Sequence, residues 1–224
     1  MMKHKTRISY CRRAAWKTTI GRRKLDYTGP NQELLVQHIA DFEKLDDYKD
    51  LFSGHDHVYC ALGTTRKGAG NADRFIHIDQ GYVIHAAELC HAAEKPATHF
   101  IYVSSVGADK NSLFLYPKTK GETEAKLEAI GFPKLTILRP GMLKNRTGSP
   151  RLLESVVGTV LPVIEFFVGE KRVGADCVVV ARAMRELAVQ GEQVGSQGVK
   201  AVQIIDNATI LQLAKDKVSK NDVA

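Results

Sequence analysis

With 224 residues, 44% hydrophobic and 25% charged, the chain can bury a sizeable core as one large α/β domain or two small ones, and no apolar run reaches the ~18 residues of a membrane span. The formal charge of +7 sits at one end: residues 1–25 carry nine basic side chains and no acidic one, leaving 23 basic and 25 acidic residues in the remainder. A body so near neutral excludes a general polyanion-binding face, and with it nucleic acid as a partner.

The basic, acid-free N-terminus fits a mitochondrial address as well as a solvated tail. Val58–Leu62 is a short apolar run ending in Gly63-Thr64-Thr65, which predicts a buried strand feeding a loop. Arg66–Ala72 is polar and glycine-bearing and reads as loop. Arg74–Ala93 shows helical spacing through Phe75, Ile78, Val83, Ala86, Ala87 and Leu89. His99–Val103 predicts a second buried strand, with Ser104 and Ser105 at its end. Pro117–Ile130 is a helix with proline in its first turn and Gly131 at its C-cap. Leu135–Leu138 is a strand stopped by Arg139-Pro140-Gly141. Val156–Gly169 is apolar, interrupted by Pro162 and Glu165, and suits either a substrate-cleft cover or ordinary core. Asp176–Val189 is a helix, Ala201–Ile205 a strand, and Asn207 caps a last helix to about Val218.

Strands alternating with helices of this length specify parallel βαβ units, hence an α/β fold with a Rossmann-like, doubly wound parallel sheet. Ligands in that architecture sit at the C-terminal strand ends, here Leu62-Gly63-Thr64, Ser104-Ser105 and Arg139-Pro140-Gly141. Cys11, Cys60, Cys90 and Cys177 lie far apart without metal-ligand spacing, and the last three fall in apolar segments, as buried free thiols do. His55-Asp56-His57 lacks further ligands and reads as a loop-to-strand junction rather than a metal site. Asn145-Arg146-Thr147 and Asn207-Ala208-Thr209 match the glycosylation pattern, which without a secretory signal carries no meaning.

Tyr116 and Lys120 stand one helical turn apart and share a face. An ammonium beside a phenol stabilises the phenolate and makes it a better proton donor and acceptor. Ser105, at the adjacent strand end, can polarise a carbonyl for hydride attack. The pair alone is weak, because tyrosine and lysine are common on helix surfaces. The ordered set of strand, Ser-Ser, Tyr-x-x-x-Lys, strand and Arg-Pro-Gly carries the argument.

On these residues, with Ile20–Leu25, Asp41–Tyr48, Gly54-His55-Asp56, Leu62–Arg66, Ser104–Lys110, Phe114-Leu115-Tyr116 and Lys120-Gly121-Glu122, the chain resembles the atypical short-chain dehydrogenase/reductases. Within them it is similar to the HIV Tat-interacting-protein-like oxidoreductase family and its fungal mitochondrial relatives, over about residues 18 to 190. The resemblance implies an NAD(P)-binding fold with Ser105, Tyr116 and Lys120 as the catalytic triad, Ser104 being the alternative serine, and Lys120 also bonding the nicotinamide ribose. It implies Arg22 and Arg23 at an NADP 2′-phosphate, with NAD as the alternative cofactor, although a plain basic run explains the two arginines equally well. It further implies Asp41 at the adenine, Leu62, Gly63 and Thr64 along the cofactor, and Pro140, Gly141 and Met142 beside the carboxamide.

Family members open with a strand, Gly-x-x-Gly-x-x-Gly and a helix, whereas the first glycine here is Gly21. Arg7–Tyr10 has the makings of a strand, but seven residues separate Tyr10 from Thr18, too few for a parallel crossover. The expectation is a sheet lacking its first βα unit, with residues 1–19 a basic non-homologous segment and residues 20–224 the truncated domain. A truncated or mis-joined gene explains this better than a true loss, because the chemistry residues are kept. The implied function is NAD(P)-dependent oxidation or reduction of a small carbonyl or alcohol, with cofactor binding impaired. The alternative is a non-catalytic regulatory scaffold for protein partners of the transcription or nuclear-import type. The implied location is the cytoplasm or the mitochondrial outer-membrane surface.

Overall fold

The computed structural model describes residues 7–11, 17–29, 31–144, 174–193 and 201–215. The expectations for Val156–Gly169, for the Asn145 acceptor pattern and for the last helix beyond Lys215 lie outside the described residues. The strands are β1 (Arg7–Cys11), β2 (Lys17–Gly21), β3 (Leu35–Ile39), β4 (His57–Cys60), β5 (His99–Val103), β6 (Lys134–Arg139), β7 (Met142–Lys144), β8 (Gly174–Asp176) and β9 (Ala201–Asp206). Seven of them form one sheet in the order β3-β2-β1-β4-β5-β6-β9, while β7 and β8 make a small parallel pair.

Every strand of the large sheet runs the same way except β1, which is antiparallel to both β2 and β4. The central place of a doubly wound sheet is thus filled by a reversed strand. Only residues 12–16 separate β1 from β2, enough for a hairpin but not for the dozen or more residues of a parallel crossover. The helix of a first βα unit is absent among the described residues.

The helices are α1 (Arg66–Ala69), α2 (Ala72–Ile76), α3 (Tyr82–Ala92), α4 (Leu115–Ile130), α5 (Cys177–Gln193) and α6 (Asn207–Lys215). A 3₁₀ segment, Phe42–Phe52, follows β3. One core joins that segment, α3 and α4 to the sheet through Leu45, Phe52, Val83, Ala87, Phe100, Tyr102 and Leu127. A second core joins α5 and α6 to the opposite face through Ile101, Leu138, Val180, Leu187, Ile205 and Ile210.

Two local departures from the pattern reading have clear causes. The loop expected at 66–72 is a helical turn and a helix start, because Thr65 Oγ1 accepts from the Gly68 N–H at 3.0 Å and Asn71 Oδ1 from the Arg74 N–H at 2.8 Å. The helix expected over 74–93 is broken by a π turn, His77–Gly81, which turns Asp79 and Gln80 inward. Gly131 ends α4 at φ 83°, the left-handed cap that glycine adopts without strain.

Candidate active site

The C-terminal ends of β2, β3, β4, β5, β6 and β9 share one edge of the sheet. Helix α4 reaches this edge with Tyr116, Lys120 and Glu124 at i, i+4 and i+8, hence on one face. Its close approach requires Gly121, where a Cβ would meet the Asp109 Cα at 2.8 Å and its carbonyl carbon and the Lys110 nitrogen closer still. The loop carrying Ser105 is thereby pressed onto the helix carrying Tyr116. Asp109 N–H donating to Pro117 O at 3.1 Å and Val106 N–H donating to Pro140 O at 2.9 Å tie that loop to α4 and to the Arg-Pro-Gly turn.

The two serines have different fates. Ser104 is buried and its hydroxyl donates to Glu124 Oε1, while Arg139 grips the same carboxylate through Nε at 3.1 Å and through its terminal nitrogen. Ser105 is half-buried, and its hydroxyl makes only a 3.3 Å bond to the neighbouring Val106 carbonyl. Ser104 is thus engaged by a buried carboxylate, and Ser105 is the more accessible of the two.

Lys120 is buried, with Nζ 2.7 Å from Asp79 Oδ2 and donating to the Tyr102 hydroxyl at 3.0 Å. Burial opposes its charge, but Tyr102, Asp79 and Tyr116 hold its pKa well above the ordinary lysine value. Burial pushes the Tyr102 phenol up and raises the neighbouring Cys60 thiol to about 12, leaving it inert. Tyr116 is 43% exposed and its ring lies 5.9 Å from that of Phe75. Tyr116 and Lys120 thus stand on a helix tied to the Ser105 loop at one strand edge, with the ammonium bonded to Asp79 and Tyr102.

Leu62 and Pro140 are buried, and Gly63, Thr64, Gly141 and Met142 are half-buried. The Thr64 N–H donates to Asp79 Oδ1 at 2.8 Å, and a Cβ on Gly63 would stand 2.9 Å from that oxygen. Gly141 N–H donates to Asn207 Oδ1 at 2.8 Å, fixing the turn after β6. Arg22 and Arg23 follow β2 and are exposed. Asp41 is exposed at the end of β3, where it accepts from the Glu43 N–H at 3.0 Å. Gly21 pairs with Ile39, so these residues share an end of the sheet. Among the described residues no group of three or more histidine, cysteine or carboxylate ligands could hold a metal. His55 instead bonds the Leu51 carbonyl at 2.9 Å.

Asp79, Tyr102 and Glu124 were not legible as site residues. A signal existed for two of them. Asp79 interrupts the buried spacing Phe75, Asp79, Val83, and a carboxylate on an apolar face needs a partner. Glu124 extends the Tyr116, Lys120 series by one turn.

A parallel-stranded Rossmann-type sheet with tyrosine and lysine on a helix face beside a strand-end serine defines a short-chain dehydrogenase/reductase-like domain. Solved structures support the fold: a UDP-glucose/N-acetylglucosamine 4-epimerase from Campylobacter jejuni superposes with a TM-score of 0.54 at 14% identity, covering 84% of this chain and 70% of that one. The dTDP-glucose 4,6-dehydratase DesIV of Streptomyces venezuelae gives 0.52 at 14% identity, covering 84% and 65%. The NAD(P)H-binding family model matches residues 16–159. Protein HTATIP2 of Rattus norvegicus is 41% identical over 212 residues, 89% of this chain and 78% of that protein. The mitochondrial protein FMP52 of Candida albicans is 37% identical over 145 residues, and the chain spans 62% of its length. The chain belongs to the NAD(P)H-binding family, in the atypical short-chain dehydrogenase/reductase branch of HTATIP2 and the FMP52 proteins.

The residues present fit the two ends of a dinucleotide better than its middle. In this fold the diphosphate rests on a glycine turn between a parallel central strand and a helix N-terminus. Here β1 runs the other way in the central place, so neither feature stands there among the described residues.

Proposed function

We propose that the chain is an NAD(P)-dependent oxidoreductase of the short-chain type, acting on a small carbonyl or alcohol with weakened hold on its cofactor. The reading is supported by Tyr116 and the charged Lys120 one turn apart on α4, and by the half-buried Ser105 at the end of β5 in a loop that the Asp109–Pro117 bond ties to α4. The nicotinamide supplies the hydride when bound. Ser105 donates a hydrogen bond to the carbonyl oxygen, Tyr116 gives that oxygen its proton, and the Lys120 charge favours the phenolate left behind. Leu62, Gly63, Thr64, Pro140, Gly141 and Met142 would line the nicotinamide side, and Asp41 the adenine. Arg22 and Arg23 would favour NADP over NAD through its 2′-phosphate.

With no diphosphate cradle among the described residues, affinity for NADPH is expected in the millimolar range, roughly −4 kcal/mol; low-micromolar binding in calorimetry overturns that part. Reduction of a carbonyl panel at saturating NADPH tests the activity. Tyr116→Phe should cut turnover about 100-fold or more, and unchanged turnover removes the assignment.

The reversed central strand also favours a second reading, a scaffold that engages protein partners without turnover. Partner capture that responds to NADPH supports it, while turnover without any partner favours the enzyme. The FMP52 relatives are named mitochondrial, and the basic, acid-free first 25 residues suit attachment to that organelle's surface as well as a cytoplasmic tail.

A further inference from the structure

Asp79 has no exposed surface and sits in the π turn beside the buried Gln80, one turn from the buried Phe75 and Val83. The π turn brings its carboxylate between two elements far apart in sequence. Oδ2 stands 2.7 Å from Lys120 Nζ on α4, and Oδ1 accepts the Thr64 N–H at 2.8 Å in the loop after β4. Gly63 has no side chain because that oxygen fills the space, with Lys120 Nζ 3.7 Å from where a Cβ would be. One carboxylate therefore fixes both the ammonium and the backbone of Gly63-Thr64.

The groups facing Lys120 are Asp79, the Tyr102 phenol on β5, the Cys60 thiol on β4 and Tyr116 on its own helix. Tyr102 also supports the ammonium, but burial disfavours ionisation of both the Tyr102 phenol and the Cys60 thiol, which leaves the Asp79 carboxylate as the anion in direct contact with it. A buried ammonium stripped of its partner is strongly disfavoured and sheds its proton.

We propose that Asp79 is a positioning residue: its carboxylate keeps Lys120 charged, fixes where the ammonium stands, and couples it to the Gly63-Thr64 loop. The proposal rests on the oxidoreductase reading for its relevance to turnover, but its physical content is separable from it.

Asp79→Asn tests it on the full chain, since the amide retains the size and an acceptor for Thr64 while it removes the charge and turns the oxygen facing Lys120 into an N–H donor. The side-chain nitrogen of Lys120, followed by NMR across pH in ¹⁵N-lysine-labelled protein, should titrate about two pH units or more lower than in the parent. Unchanged titration overturns the proposal. Should Asp79→Asn fail to fold, the double variant Asp79→Asn with Lys120→Met decides the matter. Recovery of a cooperative unfolding transition supports the pairing, and persistent failure refutes it. Where the parent turns over a carbonyl, its pH–rate profile should shift in Asp79→Asn and be rescued by Asp79→Glu. A parent without turnover but with the lysine shift sinks the oxidoreductase reading and leaves the positioning role standing.

Discussion

The two sides of the sheet are built on different terms. In β5 four of five residues are buried, and its end feeds a network in which Asp79, Lys120, Tyr102, Ser104, Glu124 and Arg139 all find close partners. In β3 none of the five is buried, Ile39 is 61% exposed, and the nearby Arg22, Arg23 and Asp41 all face solvent. The chemistry-bearing side is fixed by buried charges that tolerate little displacement. The β2–β3 side, where the nucleotide would rest under the proposed function, depends on strand direction and turn geometry, which a short segment such as β1 can re-thread without unmaking the sheet. A motif of side chains can thus persist where a backbone cradle does not.

That contrast breaks most sharply at β1. Ser9 pairs with Thr19 on one side and Tyr59 on the other. Proline there removes a ladder bond inside a central strand and leaves its acceptor unpaired, so Ser9→Pro should cost about 1–3 kcal/mol. Set against net stabilities of roughly 5–15 kcal/mol, the variant should unfold at lower urea than the parent. An unchanged midpoint would mean that β1 is not a working part of the sheet.

The opposite side offers a test of similar size. Glu124 is 4% exposed and accepts from Ser104 and twice from Arg139. Glu124→Ala leaves a guanidinium facing an empty site and should cost about 3 kcal/mol, discounted somewhat because the Arg139 side chain is 31% exposed. Asp41→Ala, which removes a solvent-facing cap, should cost about 1 kcal/mol or less. Equal losses in urea titrations of the two variants would erase the distinction between the sides.

The same contrast explains what could be read from the chain alone. The longer strands and helices from Val58 onward followed from apolar spacing, because those elements bury one face each, whereas α1, the π turn and the short β7 and β8 did not. Tyr116, Lys120 and Ser105 were picked out by their fixed order along the chain, and the structure puts the first two on α4 and the third in the loop after β5. The direction of β1 was not legible, since a five-residue strand carries no mark of polarity; the short link to Thr18 did rule out a parallel crossover. Asp79 escaped notice because a π turn shifts the helical register by a residue and hides which face it joins. Glu124 looked like one more charge on a helix rich in them, and only the tertiary approach of Arg139 makes it a buried clamp.

Acid should separate the sides more finely. On the β5–β6 side, His99 is buried, its Nε2 lies 2.8 Å from Thr136 Oγ1, and its Nδ1 has no hydrogen-bond partner among the described residues. Burial, with Lys134 and the edge-on His57 ring adding to it, lowers its pKa from 6.5 to about 3. The folded state thus refuses a proton that the unfolded state accepts, so stability is full above about pH 6.5 and falls as pH drops toward 3. On the β3 side, bonds from Tyr82, His77 and Arg74 lower Glu43 from 4.5 to about 2. Its contribution is present above pH 4.5 and is lost only below it, and solvent exposure keeps it small. Between pH 6.5 and 4.5, then, the loss belongs to His99 and amounts to ~1.4 kcal/mol per pH unit at most. His99→Gln should flatten the urea-derived stability over that window while Glu43→Gln leaves it sloped. The reverse pattern would place the acid-sensitive charge on the exposed side of the sheet.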